Sequence, residues 1–315
     1  MNSIKHREIV LSTSHRSESL RVAGVTLVEV LVCMGVIGLI LAIVLPAIQA
    51  TRSAVARIHC QSRLKQISTA VLNYESQWSM LPVGSTRMSV LGSVRHQLGI
   101  PNLDADLQSN IELLNKLAES MAPMIGCPAD AVGRGANYCS NHGTSAPFLG
   151  GPFGFNRSST SEVTDGLSQT AMMSEWLKGP GWPAGSGSID RSEPRRLIFN
   201  WMPYVASESM AGVLEVNCQT LDVTTAFILT PRRGADWLNY GVTFSGYNHQ
   251  YPPNAKSCAN GSSALLAGFA ASSQHSGGVN VAMMDGSVRF VANSIDKTVW
   301  RALGTRAGGE SFSHE

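Results

Sequence analysis

The chain has 315 residues, of which 43% are hydrophobic and 15% charged. Such a chain is not disordered, and it is long enough to build one large domain or two ordinary ones around a sizeable core without staples. Its 24 Lys plus Arg against 22 Asp plus Glu leave a formal charge of +2, so the electrostatic footprint of a nucleic-acid-binding protein is missing. The six cysteines are too few for a disulfide scaffold at this length, and none stands in a C-x-x-C pair that would suggest zinc or redox chemistry.

Residues 25 to 48, VTLVEVLVCMGVIGLILAIVLPAI, carry a single side chain that is ionised at neutral pH, Glu29. As a helix this run rises about 36 Å, enough to cross a hydrocarbon core of about 30 Å. Basic residues flank it on both sides, Lys5, Arg7, Arg16 and Arg21 before and Arg52, Arg57, Arg63 and Lys65 after, so charge alone guides orientation weakly. A cleavable secretory signal fits poorly. The run is too long for one, and the nearest small-x-small site, Ala54-Val55-Ala56, lies beyond its end. Glu29 at bilayer depth costs about 2.5 to 3.5 kcal/mol and calls for a partner unless it lies shallow and snorkels. Cleavage after Gly24 would expose an amino terminus at Val25 to serve as one.

The stretch from Arg21 through Ala23-Gly24-Val25-Thr26-Leu27-Val28-Glu29 to Val32 resembles the class III signal of type IV prepilins and type II secretion pseudopilins. The resemblance implies cleavage after Gly24 by a membrane aspartic peptidase, methylation at Val25, and a contact between Glu29 and a neighbouring subunit's terminus during assembly. Val25 replaces the usual Phe. Gly38 and Pro46 correspond to places where helicity is often lost in assembled pilins. Pro46 independently predicts a kink or local melting, because it offers no N–H to the carbonyl of Ala42. A harmless kink is the plain alternative.

Past Pro46 the apolar positions Val55, Ile58, Leu64, Ile67, Val71, Tyr74 and Trp78 recur three or four apart among Arg and Gln. This predicts an amphipathic continuation over 49–78 that packs one stripe on a head, and a rod from 25 to 78 roughly 80 Å long. Leu81-Pro82-Val83-Gly84 ends it. A helical connector over 79–126 follows, with a helix from Asn102 to Ser120 N-capped by Asn102. From 127 to 315 short apolar runs alternate with Gly, Pro, Asn and Asp, the texture of antiparallel strands and loops. Strands are expected over 171–176, 197–202 and 224–229. Val279 to Met284 and Ser287 to Val291 flank Asp285-Gly286, a hairpin signal in which both turn positions take positive φ.

Several blocks resemble a second, narrower family, the bacterial DUF1559 proteins. They are Arg57 to Ile67, Asn73-Tyr74, Cys127-Pro128-Ala129-Asp130, Asn137-Tyr138, Val163 to Thr170 with Glu175, Asn248-His249 with Pro252-Pro253-Asn254 and Cys258, and Trp300 to Arg306. His275, nine residues, then Asp285-Gly286 is similar to that family's H-X9-DG ending. Ala129 and Gln169 stand where Ser and Asn are usual. The implied fold is α+β and pilin-like, a long N-terminal helix packed on an antiparallel β-rich head with large loop insertions.

His275 with Asp285 is the most tempting catalytic pair, but Asp285 already serves a turn, so the structural reading is preferred. Asp130, Asp165, Asp222, Asp236 and Asp285 might hold Ca²⁺, although no calcium-loop pattern is present. Trp176, Trp182, Trp201, Trp237 and Trp300 suggest either a sugar platform or, more simply, core. Gly185 to Ser188 is a flexible loop rather than a phosphate cradle, and no H-E-x-x-H or G-x-S-x-G occurs. No cofactor and no catalytic residue is therefore expected. Cys33 behaves as a small hydrophobe. In an oxidising compartment Cys127 with Cys139 and Cys218 with Cys258 are the pairs suggested by proximity, leaving Cys60 over.

The expectation is a non-enzymatic pilin-like subunit in the cytoplasmic membrane, single-pass, with its N-terminus cytoplasmic and its head periplasmic or extracellular. Prepilin peptidase, other pilin-like subunits, the inner-membrane assembly machinery and lipid are its expected partners, and nucleic acid is not. A membrane-anchored head that binds glycans or other ligands without polymerising is the alternative, and an exported enzyme using His275 a third.

Overall fold

The computed structural model describes residues 26–83, 88–99, 124–132, 135–144, 150–154, 156–181, 187–200, 217–235, 237–238, 241–259 and 267–310. The leader, Gly24, Val25, the expected helix from Asn102 to Ser120, Trp182, Trp201, Gly185-Ser186 and Asp236 lie outside them. Two compact units divide the chain between Ala50 and Thr51.

The first described element is helix α1, Leu27–Trp78, which contains Pro46 in its interior. Its path is continuous at Gly38 and Pro46, so the local melting expected there is not present in this chain. From Thr26 to Val55 every residue is exposed, and an 18-residue window of the helix has a mean hydropathy of 2.9 with none of it buried. Among the described residues this is the one helix long and apolar enough to cross a membrane.

In the second unit the helix behaves differently. Cys60, Leu64, Ile67, Ser68, Ala70 and Val71 are buried, spaced three and four apart on one face. That stripe differs from the one expected from the sequence. Val55, Ile58 and Trp78 share the helical periodicity but remain exposed, and Cys60 takes the place on the buried face.

The head contains two mixed sheets. The larger has strands β1 (Tyr138–Asn141), β2 (Ala171–Glu175), β5 (Gly246–Tyr247), β8 (Gly278–Met283) and β9 (Val288–Ala292), in the order β5-β1-β2-β8-β9. The smaller has β3 (Ile198–Asn200), β4 (Ile228–Thr230), β6 (Ser257–Ala259) and β7 (Ala267–Gly268), in the order β4-β3-β6-β7. Neighbours pair antiparallel except β1 with β5 and β3 with β6, which are parallel. β4 begins four residues later than the run 224–229 that announces it and ends one residue beyond it, and residues 201–202 of the run 197–202 lie outside the described residues.

The larger sheet is covered on both faces, which explains why β1, β2 and β8 are buried throughout. One face packs Tyr138, Met172, Met173 and Ala282 against Leu64, Ile67, Ala70 and Val71 of α1. The other packs Cys139, Ala171, Val279, Val281 and Met283 against Trp176, Tyr247 and Trp300, the last from the short helix α2 (Lys297–Ala302). Met172 and Met173 lie in the same cluster despite being adjacent, because the β2·β8 register shifts between Ala171 and Met173. Trp176, Trp237 and Trp300 are thus core residues, not an exposed platform.

The β8–β9 hairpin forms where the sequence places it, with different turn chemistry. Gly286 N donates to the Met283 carbonyl at 2.8 Å, and Gly286 has φ +78° while Asp285 keeps a negative φ. Asp285 Oδ1 accepts from Ser287 N at 2.8 Å. The left-handed position falls on the glycine alone, so the turn needs positive φ once, not twice.

Candidate functional site

Four buried side chains from separate parts of the head converge beside α1. Cys60 comes from the helix, Cys127 from the loop after Ile125, Glu175 from the end of β2, and His275 from the loop before β8. One ligand-capable atom from each lies within 4.8 Å of all the others. Cys60 and Cys127 are joined as a disulfide across 67 residues. This overturns the pairing of Cys127 with Cys139: Cys139 is a free, buried thiol whose Sγ donates to the Ser174 carbonyl at 3.3 Å, and burial pushes its pKa up. Its side chain faces away from α1, since neighbouring residues on a strand point to opposite faces. Cys218 and Cys258 form the second disulfide, beside the smaller sheet.

His275 does not reach Asp285. Its Nε2 lies 3.3 Å from Glu175 Oε1 and 3.6 Å from Cys127 Sγ, while Asp285 is exposed at the far end of β8.

Polar contacts hold the Glu175 side chain and the backbones of Cys127, His275 and Cys60. Asn280 on β8 donates its backbone N–H to Glu175 Oε2 and its Nδ2 to Oε1, both at 2.9 Å. Cys127 N donates to Asn137 Oδ1 at 2.9 Å, and Asn137 Nδ2 donates to Asp130 Oδ2 at 2.6 Å. Asp130 is paired in the interior with Arg196 at 2.7 Å. Ser273 Oγ accepts from His275 N at 3.1 Å. The carboxylate of Glu175, together with burial, raises the pKa of nearby Tyr138, whose hydroxyl donates to the Cys60 carbonyl at 3.3 Å. An open cleft of about 200 Å³ lined by Ser53, Ala54, Ala56, Arg57, Ala129, Gln274, His275 and Ser276 gives access to His275.

The other end of β8 also meets the helix. Lys65 Nζ donates to the Gly286 carbonyl at 2.6 Å, and a Cβ at Gly286 would stand 3.0 Å from Leu72 Cδ1. Arg57 lies over the Phe290 ring, 4.8 Å from its centroid. The H-X9-DG segment therefore grips α1 at both of its ends.

Among the described residues, Asp130, Asp165, Asp222 and Asp285 are each engaged in separate places. Asp165 accepts from the backbone N–H groups of Gly308 and Gly309 and from Thr305 Oγ1. Asp222 caps Thr224 and Thr225, and Asp130 and Asp285 are engaged as described. Sequence reasoning missed Cys60 and the role of Glu175. Cys60, Leu64, Ile67 and Val71 stand at helical spacing, and Glu175 is the one acid within the apolar run 171–176; those were the available signals.

At the start of α1, in the other unit, Thr26 and Glu29 form a reciprocal cap. Glu29 Oε2 accepts from Thr26 N and Thr26 Oγ1, both at 2.9 Å, and Thr26 Oγ1 accepts from Glu29 N at 3.3 Å. This capping box satisfies backbone donors that the first turn leaves without partners.

The model of a family described as protein of unknown function (DUF1559) matches residues 49–148 and 128–298. No curated protein and no solved structure matches the chain.

Proposed function

The chain belongs to the DUF1559 family, and on that premise we propose that it is a pilin-like structural subunit. In this reading it is cut after Gly24, anchored in the cytoplasmic membrane by residues 25–48, and assembled into a pilus or secretion pseudopilus with its head outside. The head is non-enzymatic, and the assembly is head-to-tail and open-ended.

The supporting observation is the two-part character of α1. Its first part is apolar and exposed on every side, while its second part lays one stripe into a folded head. A soluble core helix has no use for the first part, and a cleaved signal would not continue into the second. The capping box adds to this, because it holds the Glu29 carboxylate at the first turn of α1, on Thr26.

Mass spectrometry of the mature protein tests the reading. A terminus at Val25 in cells with an active prepilin peptidase is the expected result, and a chain still beginning at Met1 there overturns it. Export or assembly of the head that is indifferent to the loss of the Glu29 carboxylate would favour a membrane-anchored binding head that does not polymerise.

A further inference from the structure

We propose that Cys60, Cys127, Glu175 and His275 form a redox-gated site for a divalent zinc-like cation, the disulfide being its closed, metal-free form. The inference goes beyond the filament reading and does not depend on it.

Two of the distances at His275 are close to those of a tetrahedral site, and the disulfide bond stands in the way of the rest. Zinc with Zn–N and Zn–O near 2.0 to 2.1 Å and Zn–S near 2.3 Å places N and O about 3.3 Å apart and S and N about 3.5 Å apart. His275 Nε2 stands 3.3 Å from Glu175 Oε1 and 3.6 Å from Cys127 Sγ. The 3.3 Å contact between His275 and Glu175 is longer than the about 2.7 to 2.9 Å of a charge-assisted hydrogen bond, a separation at which both atoms can also bind one ion. The two sulfurs must part to about 3.8 Å once their bond is broken, and the four ligand atoms, within 4.8 Å of one another, must close around the ion.

The surroundings match what holds a metal ligand in place. Asn280 fixes both oxygens of Glu175, Asn137 fixes the backbone of Cys127, and Ser273 fixes that of His275. Such outer contacts orient ligands and strengthen binding. The cleft at His275 supplies an entry path.

The chemistry balances in two steps. A dithiol reductant transfers two electrons and two protons to the Cys60–Cys127 disulfide, leaves as its own disulfide, and the protein gains two thiols. Zn²⁺ then displaces both thiol protons to solvent and forms two Zn–S bonds, with neutral His275 Nε2 and one Glu175 oxygen completing four ligands. Three anionic ligands around a divalent ion leave one net negative charge, far less costly to bury than the same ligands without it.

Full-length protein carrying Cys33→Ala, in detergent micelles, can be titrated with Co²⁺ before and after reduction by a dithiol. The expected result is one equivalent bound per reduced chain, with tetrahedral ligand-field and sulfur-to-cobalt charge-transfer bands that Zn²⁺ abolishes, and none in oxidised protein. His275→Gln and Glu175→Gln each weaken binding about tenfold or more, the scale seen even for outer-shell changes, while Cys218→Ser leaves the bands unchanged. Absence of bands in reduced protein that keeps its circular dichroism overturns the proposal, as do bands that survive both ligand substitutions. If reduction alone unfolds the chain, reduction is repeated with Zn²⁺ present. Native dichroism retained by the parent but not by His275→Gln supports the site, and loss in both overturns it.

Discussion

His275 and Asp285 stand at opposite ends of strand β8, each engaged with a different partner: His275 with Glu175, and Asp285 with the backbone of Ser287. The six residues of strand Gly278–Met283, about 20 Å of extended chain, hold the two side chains apart, so the nine-residue spacing does not assemble a catalytic pair. The first end abuts the Cys60 disulfide, and the second accepts a hydrogen bond from Lys65.

Gly286→Ala tests the second end. The substitution places a side chain at φ +78° and pushes a Cβ to within 3.0 Å of Leu72. A left-handed conformation alone costs a non-glycine residue about 1 to 2 kcal/mol, so denaturant unfolding is expected to show a loss of at least about 1 kcal/mol. An unchanged midpoint contradicts the docking of this turn on α1.

Cys60→Ser removes a cross-link spanning 67 residues. Disulfide removal typically costs about 2 to 5 kcal/mol, and a loss in that range is expected for oxidised protein. Peptide mapping without reduction should recover Cys60 joined to Cys127 and Cys218 joined to Cys258. A peptide joining Cys127 to Cys139 contradicts the assignment.

Two buried histidines predict acid sensitivity. Burial drives His142 down to about 4 and His249 to about 3. At His249 the hydrogen bond from Nδ1 to the Trp300 carbonyl at 2.6 Å works against this lowering, but burial outweighs it. Both values lie below the unfolded one, so the unfolded chain binds more protons as pH falls. Their stabilisation is complete above about pH 6.5 and lost progressively below it, by about 2 kcal/mol each at pH 5. Unfolding free energies measured between pH 7 and pH 5 check this, and His249→Gln should flatten the slope.

Arg196→Ala strips Asp130 of its interior guanidinium partner. Breaking a buried pair from one side costs about 3 to 5 kcal/mol, and because Asp130 holds Asn137, which in turn holds Cys127, the damage should reach the disulfide. Faster reduction of Cys60–Cys127 by a dithiol is the expected readout, with Arg196→Lys intermediate.

Glu29→Gln separates the two roles of its side chain. Glutamine preserves the cap on Thr26, since either residue serves at that position, but cannot neutralise a cation. Under the subunit reading Glu29→Gln and Glu29→Ala impair assembly alike, although only Glu29→Ala frays the first turn, a difference that amide exchange reads. Normal assembly of Glu29→Gln refutes a charge contact.

Much of the layout is written in local pattern. The apolar run, the helix that continues it and the hairpin around Asp285-Gly286 all follow from periodicity and turn chemistry. What escaped depends on contacts remote in sequence. Cys139 is nearer to Cys127 along the chain, yet strand alternation turns it to the far face, while Cys60 arrives on the right face of a helix far upstream. Val55 and Ile58 carry the correct spacing and stay exposed, because periodicity marks a stripe without saying where its cover begins. β3 and β6 pair in parallel across more than fifty residues, a partnership that no local signal announces.

The contact between Lys65 and Gly286 bridges 221 positions, so the cover of the helix is completed only after some two hundred further residues have been made. A product that stops short of β8 lacks Ala282 and Met284 in the cluster around Leu64, Ile67 and Val71 and leaves β2 with an unmatched edge, the kind of surface that seeds aggregation. Closure of the head over the helix thereby waits on a segment made long after it.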